Sequence, residues 1–348
     1  MTNKFYDLNR LLQKKDINNN KPEIYGICGT RSAGKTTAVT KYVIDNFLKK
    51  KQKFMFMYRF NYELDDCAEK IFKDVKNIFY EDLEFSSKKR MQNIYHELFI
   101  NNESCGYAIA INGADMIKKN SHLFSDTSVM VFDEFQSETN HYCSNEIKKF
   151  MSIHTSVARG KGEQVRFVPV FMMSNNVSLL NPYFTALGIS SRLQENTKFL
   201  RGEGFVFEFT SNESARQSQL KSQFNKAFST QEYVNYSANN KYLNDKTAFI
   251  EKVQGKSNYF CTIKVYDKEF AIREFTELGI MYCDSSVDKT YRIKICATTD
   301  EHEINFIMLR RNSDLLNTLR YYFEHGCFRF KDLECKNAIL KLLTYSSI

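Results

Sequence analysis

The 348-residue sequence has no tryptophan, no Cys-x-x-Cys pair and no apolar run of the ~18–20 residues that a membrane-spanning helix needs. Its first residues, MTNKFYDLNRLLQKKD, lack the apolar segment and the cleavage site of a secretory signal. The nine cysteines are scattered, which argues against a zinc framework or a disulfide scaffold. These absences predict a protein without a membrane partner that works in a reducing cytoplasm.

The composition is that of a globular protein, with 43% hydrophobic and 26% charged residues. Phenylalanine and tyrosine, 30 and 20 residues, supply much of the apolar material for a core. The length suits two domains better than one. The net charge of +8 lies mainly in the first 200 residues. Such an excess permits a polyanionic partner such as nucleic acid without establishing one, since a solvated basic surface has the same charge.

Apolar runs alternate with helical stretches from Glu23 to about Leu200, which predicts an α/β fold with a parallel sheet covered by helices. The candidate strands are residues 24–29, 53–60, 107–111, 128–135 and 165–175, and the longest candidate helices are 35–50 and 144–158. A polar, Ser/Gln/Asn-rich stretch then predicts a helical linker. Further on, two adjacent strands and helices over 312–323 and 332–345 predict a small α+β domain. The predicted boundaries are 1–203, 204–247 and 248–348.

The strongest motif is a phosphate-binding loop (Walker A), G-x-x-x-x-G-K-[ST], set between a predicted strand and a predicted helix. Its backbone N–H groups would surround the phosphates of ATP, Lys35 would reach the β- and γ-phosphates, and the Thr36 hydroxyl would bind Mg²⁺. A Gly-rich turn before a helix is the structural alternative. The predicted nucleotide-binding residues are Gly29, Thr30, Arg31, Ser32, Ala33, Gly34, Lys35, Thr36 and Thr37.

A second motif, Asp133-Glu134, ends the apolar strand SVMVFDEF about 100 residues after the loop. In P-loop ATPases an Asp at this place holds the Mg²⁺ water shell, and a following Glu can deprotonate the attacking water. The pair suits hydrolysis better than phosphoryl transfer by a kinase, because a kinase must exclude activated water. The spacing leaves room for an additional strand between the two motifs, for which YAIAI (107–111) is the candidate.

The ordered set GICGTRSAGKT, FMYRFNYEL, VFDEFQSE, SVARGKGEQVR and FMMSNNVSLLNPYF, with the later FIEK and GIMYCD, resembles the DNA-packaging ATPases of phi29-type bacteriophages, which are related to large terminases. The resemblance covers nearly the whole chain and is strongest from Ile24 to Phe184. It implies a terminase-like P-loop NTPase fold of the class with an additional strand and a catalytic glutamate (ASCE). It also implies a C-terminal domain that resembles an RNase H-like nuclease without nuclease activity.

The resemblance implies a homo-oligomeric ring, five subunits in the relatives, at the portal of an empty procapsid in the bacterial host cytoplasm. There, ATP hydrolysis drives double-stranded DNA inward; the use of a packaging RNA stays open. The alternative functions are a P-loop helicase or nucleic-acid remodelling ATPase, a nucleotide-binding adaptor and a small-molecule kinase. Glu134 argues against the last two, since an adaptor has no need of a catalytic glutamate.

Site residues carry over from the resemblance one at a time. The matched positions are Lys35 and Thr36 in the loop, Arg31 for the family's loop arginine, Asp133 for the Mg²⁺-associated acid, Glu134 for the catalytic glutamate, Arg159 for the arginine finger, and Ser174 and Asn175 with Asn176 for the element that couples hydrolysis to motion. Two positions depart from the family. Asn61 replaces a lysine implicated in nucleotide handling, with Arg59 as the nearby substitute. Asn120 occupies the pore-lysine position, beside Lys118 and Lys119.

Judged from the residues alone, two of these assignments have an alternative interpretation. Arg159 follows a predicted helix and precedes two glycines, so it can project as a finger or simply stabilise a helix C-terminus, and Lys161 is the second candidate. Lys118 and Lys119 can contact DNA phosphates or form a solvated pair.

Overall fold

The computed structural model describes residues 5–139, 141–159, 163–178, 181–189, 192–193, 197–210, 217, 221–227, 249–265, 267–309 and 312–345. The chain divides into two compact units, Met1–Asn244 and Asp245–Ile348. Within the described ranges, no helix is long and apolar enough to cross a membrane.

The first unit contains one nine-stranded sheet, in the order β3-β4-β5-β2-β6-β7-β1-β9-β8. Its strands are β1 (Ile24–Gly29), β2 (Lys53–Tyr58), β3 (Phe85–Arg90), β4 (Tyr95–Ile100), β5 (Glu103–Ala110), β6 (Thr127–Asp133), β7 (Val170–Ser174), β8 (Phe199–Gly202) and β9 (Phe205–Thr210). Its helices are α1 (Leu8–Leu12), α2 (Lys35–Lys50), α3 (Cys67–Phe79), α4 (Ala114–Lys119), α5 (Glu146–Val157), α6 (Pro182–Ala186) and α7 (Gln223–Ala227).

The six central strands, from β5 to β9, are parallel, as the sequence predicts. Both edges of the sheet are antiparallel, because β3 and β4 form a hairpin that joins β5, and β8 pairs antiparallel with β9. The candidate strand YAIAI belongs to β5, which lies on the far side of β2 from β6. The strand between β1 and β6 is instead β7, so the expectation for YAIAI as the additional strand is wrong.

Each central strand is apolar on both faces because the sheet is covered on both sides. In β2, Phe54 and Phe56 enter one core with α2 and α3, whereas Met55 and Met57 enter the other. That second core includes Ile153 of α5. This continuous burial explains why the parallel strands are recognisable in the sequence.

The predicted boundary at residue 203 is wrong for the segment that follows it. Residues 205–210, assigned to the linker, form β9, which pairs with β1 along its whole length. The sheet of the first unit therefore extends to Thr210. Most of the remaining predicted linker lies outside the described residues, and α7 is a short helix within it.

The second unit has a six-stranded sheet in the order β14-β13-β10-β11-β12-β15, with two helices packed on it. The strands are β10 (Asn258–Val265), β11 (Lys268–Phe275), β12 (Ile280–Asp284), β13 (Lys294–Cys296), β14 (Ile307–Met308) and β15 (Phe328–Phe330), and the helices are α8 (Ser313–Glu324) and α9 (Leu333–Tyr345). The first three strands form an antiparallel meander, and β13 pairs parallel to β10. The predicted α+β domain is confirmed.

Candidate nucleotide-binding site

Three neighbouring parallel strands bring the predicted site together. β1 ends at Gly29, β6 at Asp133 and β7 at Ser174, and the three lie side by side in the order β6-β7-β1. The carboxyl ends of parallel strands share one edge of a sheet, which is where open α/β sheets bind ligands. The phosphate-binding loop, the acidic pair and the Ser174-Asn175 element therefore meet there.

The loop ends at Gly34, which precedes the first residue of α2 and has a left-handed φ of 76°. Glycine adopts this conformation without the cost that a Cβ imposes. A Cβ there would also lie 3.0 Å from the Cα of Phe5, which packs against the loop. Gly34 has no side chain to accept a hydrogen bond from the first N–H groups of α2. Those groups and the positive helix terminus are suited to a phosphate.

Lys35 is the first residue of α2 and is only 7% exposed. Its ammonium donates to the carbonyl oxygens of Gly29 and Thr30, at 3.2 and 2.8 Å, and to Oδ1 of Asn175 at 3.2 Å. Burial lowers the pKa of Lys35 to about 8, against the effect of the nearby Asp133 carboxylate, which raises it. The lysine is thus held beneath the loop, and its bond to Asn175 links the loop to the segment after β7.

The Thr36 hydroxyl donates to Oδ2 of Asp133 at 2.9 Å, across 97 residues of sequence. Burial raises the pKa of Asp133, while the bonds from Thr36 and from the Glu134 N–H oppose the rise. A hydroxyl and a carboxylate are hard oxygen ligands of the kind that Mg²⁺ prefers. The donor set at Thr36 and Asp133 therefore fits a magnesium ion.

Glu134 follows Asp133 with a left-handed φ of 54°, a conformation that is rare for a residue with a Cβ. Its side chain reaches solvent at the edge of the sheet. Burial and the adjacent Asp133 carboxylate raise the pKa of Glu134. A carboxylate with a raised pKa is a better proton acceptor, which suits the predicted role of a general base.

Arg59, the predicted substitute for the lysine that Asn61 replaces, bonds to groups within the protein. Its guanidinium is buried and forms an ion pair with Glu146 at 2.9 Å. It also donates to the carbonyl oxygens of Glu134 and Phe135, at 3.4 and 2.8 Å. Arg59 therefore supports the backbone that carries Glu134 and is not positioned for phosphate contact through the same groups.

Arg31, the arginine within the loop, pairs with Glu138 beyond the acidic pair. Together with the bond from Thr36 to Asp133, this contact connects the start of α2 and its loop to the end of β6 and the segment after it. Thr37 lines a cavity of about 300 Å³ between α2 and the N-terminal segment. The cavity is also lined by Phe5, Tyr6, Lys41 and Tyr42, so it offers both aromatic and polar surface next to the loop.

The remaining predicted site residues lie apart from this cluster. Arg159 is exposed two residues beyond the end of α5, and its alternative Lys161, with both flanking glycines, lies outside the described residues. Lys118 and Lys119 are exposed in the last turn of α4, and Asn120 caps that helix, its side-chain amide donating to the Met116 carbonyl oxygen at 2.8 Å. The role of Arg159 as an arginine finger and the contacts of Lys118 and Lys119 with DNA stay predictions.

Three further residues bond to this site and were not predicted from the sequence: Glu146, Glu138 and Gln136. Glu146 accepts bonds from Arg59 and Tyr183, and it lies in the first turn of α5, where acidic residues are ordinary. Gln136 is a buried amide between Phe135 and Ser137. Its sequence signal is weak: a polar residue two positions after the acidic pair.

A comparison with protein families identifies the chain. A model described as the podovirus DNA encapsidation protein (Gp16) matches residues 2–348. The chain belongs to this family. Among curated Gp16 relatives, the DNA packaging protein of Bacillus phage phi29 is 26% identical over 320 residues, which cover 91% of this chain and 92% of that protein. The DNA packaging protein of Bacillus phage B103 is 24% identical over 323 residues, which cover 92% and 94%.

Solved structures agree with the Gp16 fold. A chain of the bacteriophage Phi-29 viral genome packaging motor assembly matches with a TM-score of 0.70 and 24% identity, and the match covers 99% of both chains. A chain of the Phi-28 gp11 DNA packaging motor matches with a TM-score of 0.63 and 19% identity, covering 99% of this chain and 98% of that one. The predicted α/β fold is thus confirmed.

Proposed function

We propose that the protein is the ATP-hydrolysing subunit of a motor that moves double-stranded viral DNA into a procapsid. The observation that carries the proposal is the contact of Thr36 with Asp133, which joins the phosphate-binding loop to the acidic pair. It occurs in a chain that matches a DNA encapsidation family along nearly its whole length. The packaging relatives and the packaging-motor structure support the same function.

ATP would bind with its phosphates over the loop and the start of α2. Lys35 would exchange its carbonyl partners for phosphate oxygens, and Thr36 and Asp133 would hold Mg²⁺, which supplies charge neutralisation and orientation of the phosphates. The cavity beside Thr37 begins where a nucleoside would extend from those phosphates, and its volume of about 300 Å³ accommodates one.

In hydrolysis, Glu134 would accept a proton from water as the water oxygen bonds to the γ-phosphorus. The bond from that phosphorus to the bridging oxygen breaks, and ADP and phosphate leave. Lys35 would stabilise negative charge from within the subunit, and Arg159 would do so across a subunit boundary. The exposure of Arg159 at the end of α5 is compatible with a role outside its own subunit.

The implied partners are double-stranded DNA, identical subunits in a ring of five as in the relatives, and the procapsid portal, where the protein acts transiently in the bacterial host cytoplasm. The alternative function is a helicase or nucleic-acid remodelling ATPase. Measuring ATP hydrolysis and strand separation on the same duplex separates them: packaging predicts duplex-stimulated turnover without separation, whereas a helicase separates the strands.

The lowered pKa of Lys35 predicts a pH dependence for ATP binding. Phosphates favour the charged ammonium, so the pKa of Lys35 rises on binding, and above about pH 8 the site must take up a proton when ATP binds. Affinity should be level below pH 8 and then fall by up to about tenfold per pH unit. Calorimetry in two buffers of different ionisation enthalpy should show about one proton taken up near pH 9 and about none near pH 7.

A level affinity profile with no proton uptake would contradict this account of Lys35. Since ATP itself carries its full charge above pH 8, its own titration does not interfere in that range. The stability of the apo protein has to be followed alongside, because the half-buried Tyr58 and Tyr80 have raised pKa values, so ionisation of their hydroxyls at still higher pH opposes folding.

If Lys118 and Lys119 contact DNA phosphates, reversing both to glutamate should weaken DNA binding and reduce its salt dependence. Each lost contact lowers the slope of log affinity against log salt by about 0.9. Lys49→Glu with Lys50→Glu, the same charge change in the last turn of α2, is the matched control and should leave most of the slope. Equal effects of the two pairs would assign Lys118 and Lys119 to general surface charge.

The second unit should not cut DNA. A two-metal nuclease needs carboxylates converging on ions about 4 Å apart, and in the described part of the chain no three His, Cys, Asp or Glu side chains form such a group. Near the end of β10, Lys264 pairs with Glu303, and at the end of β12 Asp284 pairs with Arg273 at 2.8 Å. Asp267 lies in the turn after β10, and Glu269 and Glu274 lie along β11.

Incubating the protein with plasmid DNA and Mn²⁺ should therefore leave the plasmid intact. The plasmid should stay supercoiled even when the protein is in molar excess over DNA. Metal-dependent cleavage that disappears in Asp267→Asn or Asp284→Asn would show that the second unit is an active nuclease.

A further inference from the structure

Gln136 is a buried side chain, 2% exposed, that bonds to Cys28 near the end of β1 and to the segment after β7. It lies two residues after Glu134, beyond the end of β6. Its carbonyl oxygen accepts from the N–H groups of Val177 and Ser178, at 3.2 and 3.0 Å, in the segment after β7. Its amide nitrogen donates to Sγ of Cys28 in β1 at 3.7 Å.

These bonds connect the segment that carries Glu134 with the segment that carries Asn175. The Val177 N–H is shared with the Asn175 carbonyl oxygen at 3.1 Å, and the side chain of Asn175 contacts Lys35. The Gln136 oxygen thus accepts two bonds, both from backbone N–H groups just beyond Asn175, those of Val177 and Ser178. A displacement of either segment would break bonds that are buried and expensive to lose.

Glu134 needs such support because its backbone is in the strained left-handed region. A conformation of this kind costs about 1–3 kcal/mol and persists only where the surroundings hold it. Arg59 holds the carbonyl oxygens of Glu134 and Phe135, and the Phe135 N–H donates to the Met173 carbonyl oxygen at 3.2 Å. Gln136 is the member of this set that reaches past β7 to the segment contacting Lys35.

We infer that Gln136 is a positioning residue that fixes the position of Glu134 relative to Asn175. The carboxylate that activates water and the amide that contacts Lys35 then move together. The inference rests on the proposed hydrolysis at this site and adds a residue to it. Gln136 would touch neither nucleotide nor water. Its loss should lower the rate of hydrolysis without a matching loss of ATP binding, since the loop and Lys35 keep their own contacts.

The test compares Gln136→Met, which keeps the approximate volume and removes all three bonds, with Gln136→Glu, which keeps an acceptor for both N–H groups. Gln136→Met should lower kcat about ten- to a hundredfold, the cost of a misplaced catalytic group. Its Kd for a non-hydrolysable ATP analogue should stay within about threefold of wild type. Gln136→Glu should recover most of the rate.

Asn181→Ala is the matched control for a lost buried amide. The Asn181 side chain donates to the Ser178 carbonyl oxygen and accepts from the Phe184 N–H, both close to the same segment. Among the residues that the structure describes, it forms no bond to the segment that carries Glu134. It should lower the melting temperature and leave kcat nearly unchanged. In an Asn175→Ala background, the effect of Gln136→Met should shrink, because the partner that it positions is already lost.

The inference is overturned if Gln136→Met has wild-type kcat, if it loses analogue affinity in proportion to kcat, if Asn181→Ala lowers kcat equally, or if the double variant is additive. Thermal unfolding of each variant identifies one that does not fold. If Gln136→Met does not fold, Gln136→Asn, whose shorter side chain cannot reach the same partners, replaces it in the single and double variants with the same expected results. A wild-type protein without turnover would refute the proposed hydrolysis, and the inference with it. An active wild type with an equally active Gln136→Met refutes the inference only.

Discussion

Glu134→Gln is expected to lower ATP hydrolysis by about 10²–10⁴ while leaving ATP affinity nearly unchanged. The glutamine keeps the shape of the side chain and its hydrogen-bonding capacity, but it cannot accept the proton of the attacking water. The loop, Lys35 and the Thr36–Asp133 contact do not depend on the Glu134 carboxylate. Titration with a fluorescent ATP analogue and single-turnover hydrolysis measure the two quantities separately.

Lys35→Ala gives the contrasting result in the same experiment. Removing the buried ammonium takes away the cation that would face the phosphates, so productive ATP binding should be lost along with turnover. Equal loss of ATP affinity in both variants would contradict the division of roles between Lys35 and Glu134. Thermal unfolding of each variant is the control for folding, since Lys35 also bonds to its own loop.

Arg159→Ala should lower hydrolysis by about 10³–10⁵ in the assembled ring, the value of an arginine finger in other P-loop enzymes. The finger stabilises charge that develops on the phosphates, so ATP binding by an isolated subunit should not change. Lys161→Ala, on the same segment, is the matched comparison and should have a small effect. The side chain of Arg159 is exposed at the end of α5, as a residue acting on a neighbour requires.

Mixing Arg159→Ala subunits with Glu134→Gln subunits tests the action across the boundary. Wherever an Arg159→Ala subunit supplies Glu134 and its Glu134→Gln neighbour supplies Arg159, one complete site forms. Mixed rings should therefore hydrolyse ATP faster than either variant alone. Mixtures that assemble normally and show no recovery would place Arg159 in its own subunit's site or in a structural role.

The sequence predicted the site best where the chemistry restricts the residues most. The phosphate-binding loop, the helix after it and the acidic pair at the end of β6 follow from a motif and its setting, and α2 has the predicted bounds. The parallel strands could be found because both of their faces are buried. The second unit followed from two strand-like runs with a short turn, which are β10 with β11 and β12, and from two helical stretches near the end of the chain.

The errors have physical causes that a single sequence hides. The strand β3 is FSSKKR, polar and largely exposed, so it resembles a loop until β4 is placed beside it. The strand β9 carries a buried glutamate, Glu208, which interrupts its apolar pattern and is compensated by Tyr6 and Arg10 about 200 residues away. Arg59 and Glu146 are 87 residues apart and form a pair only once the sheet has assembled.

The most direct test of the motor is protection of DNA from nuclease when the protein, procapsids, double-stranded genome DNA and ATP are combined. We expect full-length DNA to become nuclease-resistant with wild-type protein and ATP, together with ATP turnover that procapsids and DNA stimulate more strongly together than DNA does alone. Glu134→Gln protein, which still binds ATP, should protect none. ATP turnover that is indifferent to procapsids, with DNA that stays sensitive under conditions where portal-bound protein is present, would contradict the account.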